Sequence, residues 1–322
     1  MRNGVLFVAV VLAVAGCAPA EEPAPSETPV APTPSASATA TPSEPTPSPT
    51  PSPAPSAAPF DAAAVVADVE HLAGLGPREA TGEAFDEAAG WVASRFSSLG
   101  YEVASQPFEV PAGDSWGVDV PAGETRNVIA DPPSFDPTSP HIVIGAHLDS
   151  VPQSPGAEDN ASGVAVMLEL ARMVAEQPGD LPVRFIAFGA EEPRGEGDDW
   201  HHYGSQHYVA ELDDASRAAI VAMVALDRVG VPGDAVPVGA GGAGTTAVRE
   251  ELVEAADAAS VPVVVDEPNR ASDHWSFDQA GIPAARLGSI PFAGYHSPQD
   301  TPDVVSRGQI QAVGAIMWAW LR

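Results

Sequence analysis

The sequence predicts an α/β fold, with a mostly parallel mixed central sheet and helices on both of its faces. Short runs rich in Val, Ile and Ala alternate along the chain with segments whose apolar residues recur at helical spacing, as in strand–helix–strand units. Three of these runs are apolar almost throughout, which is typical of parallel strands buried on both faces. Residues 60–322 carry all of these elements and are long enough to form one large α/β domain.

The elements follow in order along that domain. Residues 61–75 and 83–99 have helical spacing, with Gly100 as a cap for the second helix, and residues 101–110 alternate like an edge strand. The three apolar runs that we expect to be buried strands are residues 141–146, 183–188 and 220–226. Helices are predicted at residues 162–176, 205–212 and 307–320, and further strands at residues 263–265 and 285–289.

The first 17 residues resemble a bacterial secretion signal that ends in a lipoprotein cleavage box. A positively charged start precedes the apolar segment 5–14, and Val-Ala-Gly-Cys follows, in which Cys17 would become the lipidated N-terminus. The position of the chain's single Cys favours this interpretation over an ordinary signal peptide cut near residue 18 or 20. Acyl chains on Cys17 would anchor the protein to the membrane, so we expect an extracellular, cell-surface lipoprotein.

Residues 18–59 are predicted to form a disordered stalk. Of these 42 residues, 14 are Pro, 10 Ala, 7 Ser, 6 Thr, 4 Glu and one Val, and none is aromatic. Because they offer almost nothing to bury, ordering them would cost conformational entropy without return. Pro-rich chains favour extended polyproline II, at roughly 3 Å per residue, so we expect a semi-rigid spacer between the lipid and the domain.

Charge and cysteine content exclude several classes of protein. The chain has 44 Asp and Glu against 14 Arg and no Lys, and its net charge of −30 has the wrong sign for a nucleic-acid binder that neutralises phosphates. A single Cys allows neither an intramolecular disulfide nor a four-thiolate zinc site. The longest uncharged apolar stretch, residues 5–14, is too short to span a bilayer, which takes roughly 20 residues.

Polar residues follow each of the three buried strands and recur in two loops. Because the carboxyl ends of parallel strands meet at one edge of a sheet, we expect these side chains to lie together. Five carboxylates and two imidazoles crowded there would repel strongly unless cations neutralised them. The residues are His147, Asp149, Asp159, Glu191, Glu192, Asp227 and His296.

This set of nitrogen and oxygen donors without a thiolate suits Zn²⁺ in hydrolases. A paired-metal site also needs a bridging carboxylate, with the metals roughly 3.5–4 Å apart. The adjacent Glu191 and Glu192 are informative, because neighbouring side chains diverge at a strand end. One of them can therefore bind metal while the other reaches the water that attacks the substrate.

Taken in order, the motifs resemble the dizinc aminopeptidases of bacteria, whose relatives include glutamate carboxypeptidase II and the glutaminyl cyclases. The resemblance covers nearly the whole domain, and each motif follows the expected strand. The motifs are Gly-Pro-Arg-Glu-Ala-Thr-Gly at 76–82, Gly-Ala-His-Leu-Asp-Ser at 145–150, Gly-Ala-Glu-Asp-Asn-Ala-Ser-Gly at 156–163, Ala-Glu-Glu at 190–192, Ala-Leu-Asp at 225–227, Ser-Asp-His-Trp-Ser-Phe at 272–277 and Tyr-His-Ser-Pro-Gln-Asp-Thr at 295–301. The resemblance implies a zinc-exopeptidase fold, a three-layer sandwich, and an enzyme that removes N-terminal residues from peptides.

Carried over residue by residue, the resemblance also implies a cofactor of two Zn²⁺ ions. His147 and Asp227 would bind one ion. Glu192 and His296 would bind the other, and Asp159 would bridge the two.

The same resemblance implies three further roles. Glu191 would be the general base, which takes a proton from water and passes it to the leaving amine. Asp149 would hydrogen-bond the far ring nitrogen of His147 and fix its orientation. Tyr295 would donate a hydrogen bond to the developing oxyanion, as a tyrosine does in some members.

The chain departs from the family's pattern at two positions near the third buried strand. Ala225 stands where Asn is usual, and Arg228 follows Asp227 where an apolar residue is commoner. Since side chains alternate along a strand, we expect Arg228 to point to the opposite face of the strand end. Neither departure removes a metal ligand.

A third departure is the insert at residues 193–203, which is longer than the short turn expected in the family. We expect its two histidines, His201 and His202, to lie exposed on a loop. Its acids and Trp200 could instead face the free ammonium of a substrate, and the alternative is a solvated acidic loop. The acids are Glu196, Asp198 and Asp199.

Three other functions remain open beside the aminopeptidase: a glutaminyl cyclase with one zinc, a carboxypeptidase or dipeptidase of the same family, and a non-catalytic zinc-binding surface protein. A carboxypeptidase needs a cation for the substrate's carboxylate, and Arg is scarce near the motifs. The expected partners are peptides with a free N-terminus and, through Cys17, a membrane, but no nucleic acid. The sequence leaves the oligomeric state open, with a monomer expected.

Overall fold

A computed structural model of the protein describes residues 59–288 and 292–322. The predicted signal peptide and, apart from Pro59, the predicted stalk lie outside the described residues. None of the helices in the described part of the chain combines the length and the hydropathy that crossing a bilayer requires.

An eight-stranded mixed sheet forms the middle of the domain. In chain order the strands are β1 (Glu102–Val110), β2 (Gly113–Ser115), β3 (Val118–Val120), β4 (Gly123–Asp131), β5 (His141–His147), β6 (Val183–Phe188), β7 (Ile220–Leu226), β8 (Val236–Gly239), β9 (Val263–Asp266) and β10 (Ala284–Leu287). Strands β2 and β3 form a separate two-stranded hairpin. Across the sheet the order is β1-β4-β6-β5-β7-β10-β8-β9. Strands β6, β5, β7 and β10 run parallel to one another. The pairs β1–β4, β4–β6 and β8–β10 are antiparallel.

Eight α-helices flank this sheet in the described part of the chain. They are α1 (Ala62–Gly74), α2 (Glu83–Ser98), α3 (Ser162–Glu176), α4 (Tyr203–Ala210), α5 (Asp214–Ala219), α6 (Ala247–Ala259), α7 (His274–Gln279) and α8 (Arg307–Trp320). Several begin at a polar cap: the Asp61 carboxylate accepts from two backbone N–H groups of α1, and the Ser306 hydroxyl accepts from Gln309 in α8.

Two apolar layers bury the two faces of the sheet. On one face, side chains such as Ile144 and Phe185 pack against α1, α2, α3, α6 and α8. Their strand neighbours Val143 and Ile186 point to the other face, where they pack with Tyr208 of α4 and Phe277 of α7. Alternate residues of one strand thus belong to different layers, which confirms the predicted α/β fold with helices on both faces.

The predicted elements match the structure most closely in the central strands and long helices, including the edge strand β1. The hairpin of β2 and β3, the helices α5, α6 and α7, and the sheet strands β4 and β8 were not predicted. The first half of β4 is polar, and β8 is four residues long with Pro237 among them, so neither shows a clear apolar pattern. The strand predicted at residues 285–289 is observed as β10, and residue 289 lies outside the described part.

Candidate metal centre

The polar residues after the central strands meet at one edge of the sheet. His147 ends β5, and Glu191 and Glu192 follow β6. Asp227 comes directly after β7. Because β6, β5 and β7 are parallel neighbours, their carboxyl ends carry these side chains to the same place, as the sequence predicts.

Asp159 reaches this edge on the loop between β5 and α3, which buried polar side chains hold in place. The Asp300 carboxylate accepts the backbone N–H of Glu158 at 2.7 Å and of Asp159 at 3.1 Å. Arg78, wholly buried, donates to the carbonyl oxygens of Leu148 at 2.9 Å and Gly156 at 2.9 Å. The motifs around Arg78 and Asp300 therefore act from a distance, by fixing the loop that carries Asp159.

Asp159 lies between the two histidines. Its Oδ1 is 3.2 Å from His147 Nε2, and its Oδ2 is 3.1 Å from His296 Nε2. Beyond them, His147 Nε2 is 3.6 Å from Asp227 Oδ1, and His296 Nε2 is 3.2 Å from Glu192 Oε2. The donors of the described residues form three overlapping groups, each with ligand atoms within 4.8 Å of one another: His147, Asp159 and Asp227; Asp159, Glu192 and His296; and His147, Glu191 and Glu192.

These donors fit a bound cation. Among the described residues, His147 Nε2, Glu192 Oε1 and both carboxylate oxygens of Asp227 are buried without a hydrogen-bond partner, although Asp227 Oδ2 forms an ion pair with the buried Arg286 at 3.2 Å. An unsatisfied buried polar atom costs free energy, and ordinary proteins rarely leave so many in one place. Imidazole and carboxylate donors without a thiolate suit Zn²⁺, so the chemistry of the set agrees with that metal.

The pKa values of the cluster indicate an excess of negative charge, which a bound cation would balance. Burial opposes charge on both histidines, but the surrounding carboxylates outweigh it, raising the pKa of His147 and taking that of His296 to about 10. Burial raises the pKa of Glu192 to about 8, with the charge of Asp159 adding to the effect. Burial acts the same way on Asp159, but Arg228 and the two histidines lower its pKa overall. The cluster as it stands attracts positive charge.

Glu191 belongs to the third group, with His147 and Glu192, but to neither of the groups that share Asp159. Its Oε2 lies 3.9 Å from His147 Nε2, and its pKa is lowered because His147 and His202 outweigh the effect of burial. The Glu191 carboxylate therefore faces the donor cluster in its charged form, which is the form a general base requires.

Asp149 supports both the histidine and the glutamate pair. Its carboxylate accepts the backbone N–H of Glu191 at 3.0 Å and of Glu192 at 3.1 Å. His147 Nδ1 lies 3.2 Å from the Asp149 carbonyl oxygen and 3.7 Å from its carboxylate. The Asp149 carbonyl, rather than the carboxylate as expected, is thus the main acceptor for His147 Nδ1–H, because the carboxylate accepts from the backbone N–H groups of the two glutamates.

The expectation for Arg228 was wrong. Its backbone has φ 56°, in the left-handed region, so the chain turns back and the side chain stays on the same face as Asp227. Arg228 Nη1 is 3.4 Å from Asp159 Oδ2, Nε is 3.8 Å from Asp227 Oδ1, and the guanidinium lies 4.9 Å from the Tyr295 ring. Alternation along a strand cannot predict a side chain whose own backbone leaves the strand conformation.

Aromatic rings cover one side of the cluster. The Tyr295 ring stacks on the His296 ring with centroids 3.6 Å apart. Trp116, at the turn between β2 and β3, is 55% exposed and meets the His296 ring edge-on at 4.6 Å. Trp116 was not predicted as a site residue, because a short hairpin far away in the sequence gives no sign of contact with this edge.

The insert at residues 193–203 reaches the site through its histidines and not through Glu196 or Asp199. The cavity beside Glu191 is lined by Pro193, His201 and His202 of the insert, whereas Glu196 and Asp199 are exposed and lie outside that lining. The expectation that His202 is exposed was wrong: it is 4% exposed, and its Nε2 lies 3.1 Å from Glu191 Oε1. No sequence motif indicates that His202 is buried, because it lies in a polar, Gly-containing loop.

Comparisons with known proteins find relatives among the peptidases. A model of peptidase family M28 matches residues 127–321. Aminopeptidase YwaD of Bacillus subtilis is 33% identical over 205 residues, which cover 61% of this chain and 44% of that protein. A probable lipoprotein aminopeptidase of Mycobacterium tuberculosis, LpqL, is 29% identical over 260 residues, covering 70% of this chain and 50% of that protein. The chain thus spans about half the length of these relatives.

Solved structures share the fold. A zinc aminopeptidase from Bacillus subtilis superposes with a TM-score of 0.72 at 22% identity, covering 81% of this chain and 94% of that one. A glutaminyl cyclase from Bacteroides thetaiotaomicron, bound to N-acetylhistamine, gives a TM-score of 0.69 at 22% identity, covering 82% of this chain and 98% of that one. Hydrolase and transferase thus share this architecture, and the site residues must distinguish them.

Proposed function

Because the chain belongs to peptidase family M28, we propose that it is a zinc-dependent aminopeptidase that hydrolyses N-terminal residues from peptides. The observation that carries this proposal is the charged Glu191 carboxylate, which faces the buried donor cluster 3.9 Å from His147 Nε2. The names of the related aminopeptidases support the same activity.

The cofactor we propose is a pair of Zn²⁺ ions. His147 and Asp227 would bind one ion, Glu192 and His296 the other, and Asp159, which lies within 3.2 Å of both imidazoles, would bridge them. Zinc bound there would polarise the scissile carbonyl and lower the pKa of a water molecule. The buried atoms of His147, Glu192 and Asp227 that make no hydrogen bond support this assignment.

The protein's own residues move the protons. Glu191 would take a proton from the attacking water and pass it to the leaving amine, so no covalent intermediate is required. Asp149 would hold Glu191 in place through its backbone N–H. Tyr295 would donate a hydrogen bond to the oxygen of the carbonyl under attack as charge develops on it.

The cavity beside Glu191 suits an enzyme that takes the end of a peptide. Its volume is about 270 Å³, below the range of roughly 300–1,000 Å³ typical of pockets for drug-sized ligands. Such a cavity has room for about one substrate side chain, at either end of a peptide. Glu191 and Glu192 line it and attract a free ammonium, which favours cleavage at the N-terminus.

A carboxypeptidase or dipeptidase is the second candidate, because two arginines line the same cavity. Arg228 and Arg270 stand beside Glu191, although Arg appears scarce near the motifs when the sequence is read alone. A substrate carboxylate could pair with either guanidinium. Arg228 already faces Asp159 and Asp227, so it offers less free charge than its position suggests.

We also propose the cellular setting predicted from the sequence: a lipid on Cys17, a Pro-rich spacer and the catalytic domain outside the membrane. The lipoprotein box in residues 14–17 supports it, and so does the description of the Mycobacterium tuberculosis relative as a probable lipoprotein.

One panel of substrates tests the function. Amino-acid arylamides, free dipeptides, C-terminally blocked dipeptides and glutaminyl peptides are each assayed with and without a metal chelator. We expect turnover of arylamides and of blocked dipeptides, abolished by the chelator and restored by zinc. A requirement for a free C-terminus would favour a dipeptidase instead. Ammonia release without peptide cleavage would favour a glutaminyl cyclase, and bound zinc without any turnover would contradict the proposed enzyme.

A further inference from the structure

His202 is a buried histidine that contacts the proposed general base and has no role in the mechanism above. Its Nε2 lies 3.1 Å from Glu191 Oε1. His202 is 4% exposed and Glu191 is 7% exposed, so little water competes for this contact. A hydrogen bond to a charged carboxylate in such surroundings is stronger than one at the surface.

The insert is folded so that its end returns to its beginning. The backbone N–H of His202 donates to the Glu191 carbonyl at 2.9 Å, and that of Tyr203 donates to the Ala190 carbonyl at 2.9 Å. His202 itself has φ 58°, a left-handed conformation that costs free energy for a residue with a side chain. Backbone and side chain of His202 thus both contact Glu191.

Arg194 anchors the other part of the insert. It is 3% exposed on its side chain, pairs with Glu79 at 2.8 Å, and donates to the carbonyl oxygens of Pro111 at 2.7 Å and Pro121. Its backbone N–H donates to the Trp200 carbonyl at 2.9 Å. These contacts fix the insert against the body of the domain, so the position of His202 is defined by packing on both sides.

The contact divides the two oxygens of Glu191 between two tasks. Oε1 contacts His202 Nε2, while Oε2 faces His147 Nε2 and the donor cluster. A glutamate side chain has three rotatable bonds, and a base must lie within hydrogen-bond reach of the proton that it takes. Holding one oxygen leaves the other aimed at the reacting water.

The charges around His202 favour this hydrogen bond. Burial lowers the pKa of His202, but the Glu191 carboxylate outweighs burial and the net shift is upward, with the buried Asp273 adding to it. His202 belongs to none of the candidate metal groups found in the described part of the chain. His202 is therefore not one of the proposed ligands, whereas Glu191, which it contacts, forms one of those groups with His147 and Glu192.

We propose that His202 is a positioning residue, which orients the Glu191 carboxylate for proton transfer through the hydrogen bond from Nε2 to Oε1. This proposal rests on the proposed function, since it assigns Glu191 as the base. The insert at residues 193–203 then serves to bring a histidine to the base rather than to present acids to the substrate.

Three variants of the zinc-loaded protein test this role. His202→Leu removes the hydrogen bond, whereas His202→Gln keeps a donor near the position of Nε2. His207→Gln is the matched control, because His207 lies on α4, half-buried, with its ring stacked on Phe108 at 5.0 Å and away from the cavity. Turnover, KM and zinc content are measured for each variant.

Misplacing a catalytic group by about 1 Å can cost roughly 10²-fold in rate. We therefore expect kcat of His202→Leu to fall about 10- to 100-fold while KM stays within about threefold and zinc content is unchanged. We expect His202→Gln to recover at least half of that loss on a logarithmic scale and His207→Gln to match the wild type. A loss in KM alone, or no rescue by Gln, would overturn the proposal.

A readout that does not depend on turnover separates this proposal from the proposed function. Crystal structures of zinc-loaded wild type and His202→Leu show the Glu191 carboxylate directly. We expect one orientation in the wild type, with Oε1 on His202, and a rotated or split carboxylate in the variant. An unmoved carboxylate would overturn the positioning role. Failure of the wild type to cleave any substrate would overturn the proposed function and leave this structural result intact.

Discussion

Replacing Glu191 by Gln removes a single property of the site, the ability of Oε2 to accept a proton. The backbone N–H at residue 191 keeps its hydrogen bond to Asp149, and the amide oxygen can still accept from His202 Nε2. The five proposed metal ligands are untouched, as are their separations of 3.1–3.6 Å. The variant should therefore fold, bind zinc and bind substrate as the wild type does.

The expected loss is the contribution of the base alone. General-base catalysis typically contributes about 10²–10⁴-fold, which corresponds to roughly 3–5 kcal/mol of transition-state stabilisation. We expect kcat of Glu191→Gln to fall by that factor, with little change in KM, zinc content or thermal midpoint. A loss of zinc instead would show that Glu191 is a ligand.

Initial rates on an arylamide substrate, with zinc measured in the same samples, decide the matter. Glu196→Gln is the matched control, because it makes the same chemical change at an exposed acid of the insert outside the cavity lining. Turnover of Glu191→Gln near the wild-type rate would refute the assignment of the base. A comparable loss in Glu196→Gln would show that the effect is not specific to the site.

Three further predictions follow. Asp159→Asn should lose zinc as well as activity, because it weakens the ligand that is proposed to bridge the two ions between His147 and His296. Elemental analysis that found two ions retained would contradict the bridging role. Burial, followed by the charge of Arg286, lowers the pKa of His274 to about 3, so the folded protein disfavours its protonation and stability falls as pH drops below about 6.5. Between pH 7 and pH 5, the free energy of unfolding measured with a chemical denaturant should fall by about 2 kcal/mol more in the wild type than in His274→Gln. Equal losses would contradict this pKa. Cys17→Ala should move the protein from the membrane fraction to the soluble fraction with kcat/KM unchanged, and a variant that stayed in the membrane fraction would show that something else anchors it.

Most of the donor cluster could be predicted from the sequence, because four of its residues lie at or just after the end of a recognisable strand. His147, Glu191, Glu192 and Asp227 come at or just after the ends of buried strands, and those strands are apolar enough to be identified without a structure. The parallel arrangement then brings strand ends together by geometry alone. Asp159 and His296 lie on polar loops that we expected at the same edge of the sheet, and the resemblance to a family indicated their roles as ligands.

The neighbours of the cluster could not be predicted, because local backbone and distant contacts determine them. Arg228 turns toward the cluster through a left-handed backbone conformation that alternation does not anticipate. His202 is buried because the insert closes on itself and Arg194 packs against Pro111, more than 80 residues away in the sequence. Trp116 reaches His296 from a hairpin of two three-residue strands. In each case the sequence supplies the residue and the tertiary fold supplies its role.

The central claim, a dizinc aminopeptidase, is tested most directly by titrating zinc into metal-free protein while aminopeptidase turnover is measured. Removing the metal leaves the carboxylates of Asp159, Glu192 and Asp227 facing one another with reduced compensation, so the metal-free protein should also unfold at a lower temperature. We expect no turnover at zero zinc and full turnover once two equivalents are bound. Full turnover in protein shown by elemental analysis to contain no metal would contradict this claim.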